Sequence, residues 1–156
     1  MSKTFNDLIA DALTEIDEVF PWDLETLLEN QPETLVLDIR ELDEFDGAHL
    51  KNSMHVPRGI LEQACEWDYA ETVPELVNAR ERPVLVVCRS GNRSALAALT
   101  MKMLGYKNLA SLKMGVKGCN DSDVVLFNQA GEEADPDWAD EFFNPEVRDD
   151  QLSANQ

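Results

Sequence analysis

The chain has 156 residues, of which 44% are hydrophobic and 28% charged, and its formal net charge is −18. This length and composition are typical of one globular domain that buries a core without disulfides or a structural metal. The charge argues against nucleic acid and anionic membranes as partners, and no apolar run approaches the ~20 residues of a transmembrane helix.

The predicted elements alternate between helices and short apolar strands. Apolar residues at helical spacing predict an amphipathic helix over residues 4–18, followed by an extended segment at 19–21 and a short helix. Unbroken apolar runs predict buried strands at 34–39, 83–88 and 108–112, with a shorter strand near 53–56. Helical segments separate these strands, and the longest covers 93–105. The alternation predicts an α/β fold with a parallel or mostly parallel sheet.

Three parts are predicted along the chain: an N-terminal amphipathic helix at 1–18, a central domain at 19–127 and an acidic extension at 128–156. The aromatic residues Trp138, Phe142 and Phe143 indicate that part of the extension folds back onto the domain. Residues after Asp149 are predicted to be disordered.

The negative charge is concentrated at both ends of the chain. Residues 1–33 contain nine acidic residues and one lysine, residues 128–156 contain nine acidic residues and one arginine, and the middle is nearly balanced. We interpret the ends as solubilising surfaces, with attraction of a basic protein partner as the alternative.

The three cysteines, Cys65, Cys88 and Cys119, are an odd number at wide spacings. They form a poor disulfide framework and no zinc-binding pattern. The acidic N-terminus does not read as a secretory signal, so a reducing cytoplasm is the expected compartment.

A cysteine ends one of the apolar runs, in the stretch VLVVCRSGNRSALAAL from Val84 to Leu99. Ligands of open α/β sheets bind at the carboxyl ends of the strands, where Cys88 is predicted to lie. Residues 89–93 join strand to helix in few residues, so their amides are expected to point inward and cradle an anion. Gly91 permits the tight turn, and Ser94 or Asn92 is expected to cap the helix.

A thiol within this cradle is expected to be a nucleophile. The helix N-terminus, the inward amides and Arg89 or Arg93 all favour the thiolate over the thiol. The alternative is that Cys88 only fills a small apolar site at the strand end. Two arginines and a glycine within the next five residues favour the functional interpretation.

The segment CRSGNRS resembles the active-site loop of the rhodanese-like sulfurtransferases, Cys-Arg-x-Gly-x-Arg-Ser/Thr. The segments LVLDIRELDEFDGAHLKNSMHVP and GYKNLASLKMG resemble two further motifs of that family, and together the match covers roughly residues 19–121. The upstream positions that carry it are Asp38, Arg40, Glu44, Phe45, Gly47, His49, Leu50 and Pro57. Two positions depart from the family pattern: Met114 replaces the first of two paired glycines, and Cys119 aligns with the usual tryptophan.

The resemblance implies a central five-stranded parallel sheet with helices on both faces and a sulfurtransferase activity. Cys88 would take the outer sulfur of thiosulfate or another small anionic sulfane donor, expel sulfite and become a persulfide. Cyanide, a thiol or a protein cysteine would then accept the sulfur. The implied substrate-binding residues are Arg89 and Arg93, which orient the donor, and Ser90, Gly91 and Asn92, which supply amides. No metal or organic cofactor is required.

Two alternatives stay open from the sequence. A cysteine phosphatase uses a Cys-x5-Arg loop, one residue longer than the spacing from Cys88 to Arg93, because a phosphate needs the wider ring. A persulfide carrier with little turnover would use the same loop residues as the transferase, so the sequence cannot separate the two.

The upstream polar residues are interpreted mainly as scaffolding. His49 is expected to hydrogen-bond near Asp38 and steady the loop, rather than to act as a base for Cys88. Asp38 and Arg40 are expected to be buried polar residues, and Arg58 is an additional candidate for anion binding.

The remaining candidates lie outside the loop. Cys65 is expected in the core, and Cys119 is a candidate resolving thiol that exchanges with the persulfide. The apolar stripe of the N-terminal helix, formed by Phe5, Leu8, Ala12 and Ile16, is expected to pack on the domain or to pair with a second copy in a homodimer.

Overall fold

The computed structural model describes residues 1–154, and five short strands form one parallel sheet at its centre. The strand order across the sheet is β1–β5–β4–β2–β3, which confirms the predicted five-stranded parallel sheet. The strands are β1 (Asp17–Val19), β2 (Leu35–Asp38), β3 (Met54–His55), β4 (Val84–Val87) and β5 (Leu109–Leu112).

Eight α-helices flank this sheet in the described part of the chain. They are α1 (Phe5–Leu13), α2 (Leu24–Asn30), α3 (Leu42–Gly47), α4 (Leu61–Ala64), α5 (Pro74–Val77), α6 (Asn92–Met103), α7 (Gly115–Asp121) and α8 (Pro136–Phe142). Short 3₁₀ turns lie at Pro21–Asp23, Arg58–Ile60 and Asp149–Gln151. None of the helices within residues 1–154 combines the length and the apolar character that crossing a bilayer demands.

The central strands β2 and β4 are buried along their whole length. Leu37 and Val86 point into the core on one face of the sheet, whereas Val36 and Leu85 point into the core on the other. Helices cover both faces, so successive side chains must all be apolar. This explains why the two strands read as unbroken apolar runs.

Helix α1 is shorter than predicted. Thr4 caps it through a capping box with Asp7, and the helix ends at Leu13. Residues 17–19 form β1, which pairs with the edge of the sheet along β5, so the predicted helix over 4–18 is wrong beyond residue 13. Strand pairing satisfies backbone groups on the open edge of β5, and this tertiary gain outweighs the helical pattern.

The apolar stripe of α1 is only partly buried. Ala12 and Ile9 contact Ala95 of α6, whereas Phe5 and Leu8 are about half exposed. The helix therefore packs on the domain through a narrow contact, and the homodimer stays a prediction.

The C-terminal extension folds against the domain. Phe143, directly after α8, is buried in the core with Val116 of α7, and the amide of Gln129 donates to the carbonyl of Asp46 at 2.8 Å. A Cβ at Gly47 would lie 2.6 Å from the Phe142 ring, so the glycine lets this ring pack on α3. Residues Asp149–Gln151 form a 3₁₀ turn. The disorder predicted after Asp149 stays a prediction, and part of it, residues 155–156, lies outside the described residues.

Candidate active site

Cys88 directly follows β4, and its sulfur lies at the N-terminus of α6. There the sulfur accepts backbone hydrogen bonds as a helix-capping side chain would. Sγ accepts hydrogen bonds from the amides of Gly91 at 3.1 Å and Ser94 at 3.3 Å, and the residue is 1% exposed. Gly91 is the N-cap residue and has no side-chain cap. The predicted capping by Ser94 or Asn92 is therefore wrong, because the sulfur already accepts from the amide that a capping oxygen would bind.

Two buried hydroxyls extend this network below the sulfur. Ser94 Oγ lies 3.3 Å from Cys88 Sγ and 2.7 Å from Ser111 Oγ, and both serines are fully buried. Ser111 can donate to Ser94 while Ser94 donates to a thiolate, which gives the anion a third hydrogen bond. The sequence analysis missed Ser111, although a serine within the buried strand β5 was a usable signal.

The amides of Ser90 and Asn92 donate no hydrogen bond to any residue in 1–154. Two amides therefore bind Sγ, and those of Ser90 and Asn92 have no partner among these residues. The anion cradle that the sequence analysis expects from residues 89–93 stays a prediction.

The first turn of α7 binds the Cys88 loop through two backbone hydrogen bonds. The amides of Val116 and Lys117 donate to the carbonyls of Cys88 and Arg89, each at 3.0 Å. Gly115 has φ +58°, and a Cβ there would lie 2.3 Å from the carbonyl oxygen of Arg89. The carbonyls of Cys88 and Arg89 are thus bound by α7, whereas the amides of Gly91 and Ser94 bind the sulfur.

The departure at Met114 from the family pattern keeps the backbone shape. Met114 has φ +65°, in the left-handed region that glycine adopts readily, and it precedes α7 as its N-cap residue. The backbone amide of Met114 also comes close to Gly91, where a Cβ would lie 2.9 Å from it. Only glycine fits at position 91, because its φ is +93° and the space is closed.

The two arginines of the loop have different surroundings. Arg93 donates two hydrogen bonds of 2.9 Å to the carboxylate of Glu44, which lies on α3. Among residues 1–154, Arg89 is the one arginine without a carboxylate partner within 4 Å. Arg93 is thus held by a carboxylate and Arg89 is not, and the substrate-binding roles of both stay predictions. Neighbouring Lys117, which the sequence analysis missed, is likewise unpaired within this part of the chain.

The pair of Glu44 and Arg93 predicts a pH dependence. Partial burial opposes ionisation of Glu44, but hydrogen bonds from Arg93 and the Glu41 amide outweigh it and lower the pKa of Glu44 from its usual 4.5. A lowered folded-state pKa gives stability that is present above the unfolded-state value and lost as pH falls through the folded-state value.

We therefore expect Glu44→Gln to destabilise the protein at pH ~7 and to lose this effect between pH ~5 and ~3. Urea unfolding across this range measures it, with Glu62→Gln as the control because Glu62 pairs with Arg58 at a more exposed position. A Glu44→Gln effect that is the same at every pH would contradict the assignment.

Asp38 and Arg40 form the buried scaffold that was predicted. Arg40 donates to Asp38 through Nη2 at 2.8 Å and Nε at 3.0 Å, and both side chains are fully buried. Nη2 also donates to the carbonyl of Ala48 at 2.7 Å. The pair ties the end of β2 to the segment after α3.

His49 does not bond near Asp38, so that prediction is wrong. Its Nδ1 lies 2.7 Å from the carbonyl oxygen of Phe45, and its ring stacks on the Phe45 ring at 4.1 Å. His55 stacks on Phe45 as well, at 4.6 Å. The carboxylate of Asp38 is already bound by Arg40. His49 instead stabilises the end of α3 through its contacts with Phe45.

The other candidates lie away from the sulfur. Arg58 binds Glu62 and the hydroxyl of Thr100, in the second half of α6, so the structure does not bring it to the loop. Cys65 is a core residue, as expected. Cys119 is fully buried, and burial raises its pKa to about 12. This environment disfavours the thiolate that a resolving cysteine needs, and the resolving role of Cys119 stays a prediction.

Comparison with known proteins agrees with this geometry. A family model described as the rhodanese-like domain matches residues 21–122, which is about two thirds of the chain. The chain belongs to the rhodanese-like domain family.

Relatives of this rhodanese-like chain include proteins named for sulfur transfer. It is 33% identical over 82 residues to a Bacillus subtilis protein described as a sulfur carrier, covering 53% of this chain and 39% of that protein. It is 35% identical over 81 residues to a Schizosaccharomyces pombe protein described as a mitochondrial thiosulfate sulfurtransferase, covering 50% and 57%. The chain thus spans less than two thirds of either relative.

A solved structure shares the fold. The polysulfide-sulfur transferase homodimer of Wolinella succinogenes superposes with a TM-score of 0.61 at 25% identity, covering 80% of this chain and 87% of that one. The rhodanese-like fold of this chain, with an added N-terminal helix, is therefore established.

Proposed function

We propose that this protein is a sulfurtransferase that takes a sulfane sulfur from thiosulfate or a related anionic donor and carries it as a persulfide on Cys88. The observation that supports this most directly is the position of Sγ within the amides of Gly91 and Ser94, beside the unpaired Arg89. This arrangement stabilises an anionic sulfur and attracts an anionic donor.

The reaction has two half-steps. In the first, the Cys88 thiolate attacks the outer sulfur of thiosulfate; a sulfur–sulfur bond to Sγ forms, and the donor's bond breaks with its electron pair leaving on sulfite. In the second, a thiophilic acceptor attacks the outer persulfide sulfur, and the bond to Sγ breaks to restore the thiolate. The free amides of Ser90 and Asn92 would hold the outer sulfur between the two steps.

A persulfide carrier with little turnover is the second candidate, favoured by the Bacillus relative that is described as a sulfur carrier. The burial of Cys88 supports it as well, because a sealed persulfide would be released slowly. Both candidates require the same loaded state and differ in the rate at which the sulfur leaves.

The test is the intact mass of the protein after treatment with thiosulfate. We expect a gain of one sulfur atom that cyanide removes, in the wild type and in Cys65→Ser and Cys119→Ser, but not in Cys88→Ser. Rapid removal supports the transferase and slow removal the carrier. No gain of mass, together with hydrolysis of an aryl phosphate, would reject both in favour of a phosphatase.

A further inference from the structure

A cavity of about 520 Å³ lies between the Cys88 loop and the C-terminal extension. Arg89 and Ser90 of the loop and Lys117 of α7 line it from the domain side. The opposite side is formed by residues 143–147 and by Gln151. This volume is within the usual range of small-molecule sites.

The cavity has a defined shape because both walls are anchored. Phe143 is buried in the core, where it fixes the start of the extension's wall. The backbone amide of Lys117 donates to the carbonyl of Arg89, so the two basic residues are held as neighbours. The extension's wall lies outside the residues 21–122 that match the family model, so it is an addition of this chain to the shared domain.

The charges of the two walls have opposite sign. Arg89 and Lys117 lie on the domain side, and Glu146 lies on the extension side. None of the three is paired with an opposite charge by the residues the structure describes, 1–154. Lys51 and Lys113 are also unpaired within residues 1–154, but neither lines this cavity. Such a cavity complements a small molecule that carries a carboxylate and an ammonium group.

We propose that this cavity is the acceptor subsite and takes a small amino-acid thiol, with its carboxylate on Arg89 and Lys117 and its ammonium group on Glu146. The proposal rests on the persulfide function above. The donor anion leaves as sulfite before the acceptor enters, so Arg89 serves both half-reactions in turn. The volume of the cavity accommodates a small thiol.

The transfer step balances without a further reactant. The acceptor thiolate attacks the outer sulfur of the persulfide, a new sulfur–sulfur bond forms on the acceptor, and the bond to Sγ breaks. The electron pair of that bond returns to Cys88 as the thiolate, which the amides of Gly91 and Ser94 stabilise. The product is the persulfide of the amino-acid thiol.

The test is the single-turnover discharge of the full-length protein after loading with thiosulfate and removal of the excess. Discharge is followed by intact mass with cysteine, N-acetylcysteine, which lacks the ammonium charge, and cysteamine, which lacks the carboxylate, at equal thiolate concentrations. We expect cysteine to act about tenfold faster than either analogue, as one charge-assisted contact predicts.

Variants on each side of the cavity test which protein charge recognises the ammonium group and which the carboxylate of the thiol. Glu146→Gln should abolish the difference between cysteine and N-acetylcysteine. Lys117→Gln should reduce the difference between cysteine and cysteamine, because Arg89 still faces the carboxylate. Lys113→Gln and Glu132→Gln, which change exposed charges outside this cavity, should keep both differences.

Equal discharge by the three thiols, or preferences that stay undiminished in Glu146→Gln and Lys117→Gln, would overturn this proposal while leaving the persulfide function intact. Failure of Cys88 to load sulfur at all would overturn the proposed function and the subsite with it. The two failures are therefore distinguishable.

Discussion

Replacing Gly115 with alanine should lower the rate of sulfur loading on Cys88 by about a hundredfold, because misplacing a catalytic group by roughly 1 Å has effects of that size. The added Cβ would lie 2.3 Å from the carbonyl oxygen of Arg89 and 2.4 Å from that of Cys88. These contacts are with backbone atoms, which no rotation of a side chain can relieve. The loop that holds the sulfur must therefore shift.

Gly105→Ala is the matched control for Gly115→Ala. Gly105 also has a positive φ, +94°, but a Cβ there meets no atom within 4 Å. Both variants therefore carry the backbone strain of a non-glycine residue in the left-handed region, about 1–2 kcal/mol. We expect Gly105→Ala to lose stability and to load sulfur normally, as measured by urea unfolding and intact mass. Equal loading by Gly115→Ala and Gly105→Ala would contradict the role of Gly115.

Asp38→Ala should lower the free energy of unfolding by about 3–5 kcal/mol, since it leaves a buried guanidinium without its carboxylate. Arg40 is fully buried and bonds to Asp38 through two nitrogens. Its third nitrogen, Nη1, is buried without a hydrogen-bond partner among the described residues, so Asp38 supplies most of its compensation. Urea unfolding at neutral pH measures the loss.

A double variant tests whether the cost comes from the unpaired charge. Asp38→Ala with Arg40→Met removes both charges, and we expect it to be more stable than Asp38→Ala alone, because replacing a whole buried pair by apolar side chains is often tolerated. Glu81→Gln, which breaks an exposed pair with Lys107, should change stability by less than about 1 kcal/mol. A double variant less stable than the single one would show that contacts of the Arg40 side chain, such as that with Ala48, dominate.

Secondary structure was predictable where one local signal was strong. The strands β2 and β4 are apolar throughout because both faces of the sheet are covered, and α6 ends where Gly105 adopts its positive φ. Asp17 and Glu18 of the edge strand β1 were mistaken for helix because their pairing with β5 involves residues more than 90 positions away. A local pattern contains no information on such a partner.

The active site likewise combines features that one short segment of sequence shows with features that depend on contacts between remote segments. Cys88, Gly91 and the loop around them were recognisable from the order of residues in one short segment. The pairing of Arg93 with Glu44 and the bracing of the loop by Gly115 join segments that lie 49 and 26 residues away from each other. The pairing with Glu44 gives Arg93 a carboxylate partner that Arg89 lacks, although the sequence alone treated the two arginines as equivalent.

By itself, the sequence predicted an α/β architecture with a parallel or mostly parallel sheet and a thiol at a strand end, because each depends on contiguous residues whose spacing is set by backbone geometry. The family was recognised by the resemblance of three motifs. Only the tertiary structure decided which loop arginine lacks a carboxylate partner, how deeply Cys119 is buried and how the acidic extension comes to face the loop. Those features depend on desolvation and on distances between remote segments, which arise when the chain closes around its core.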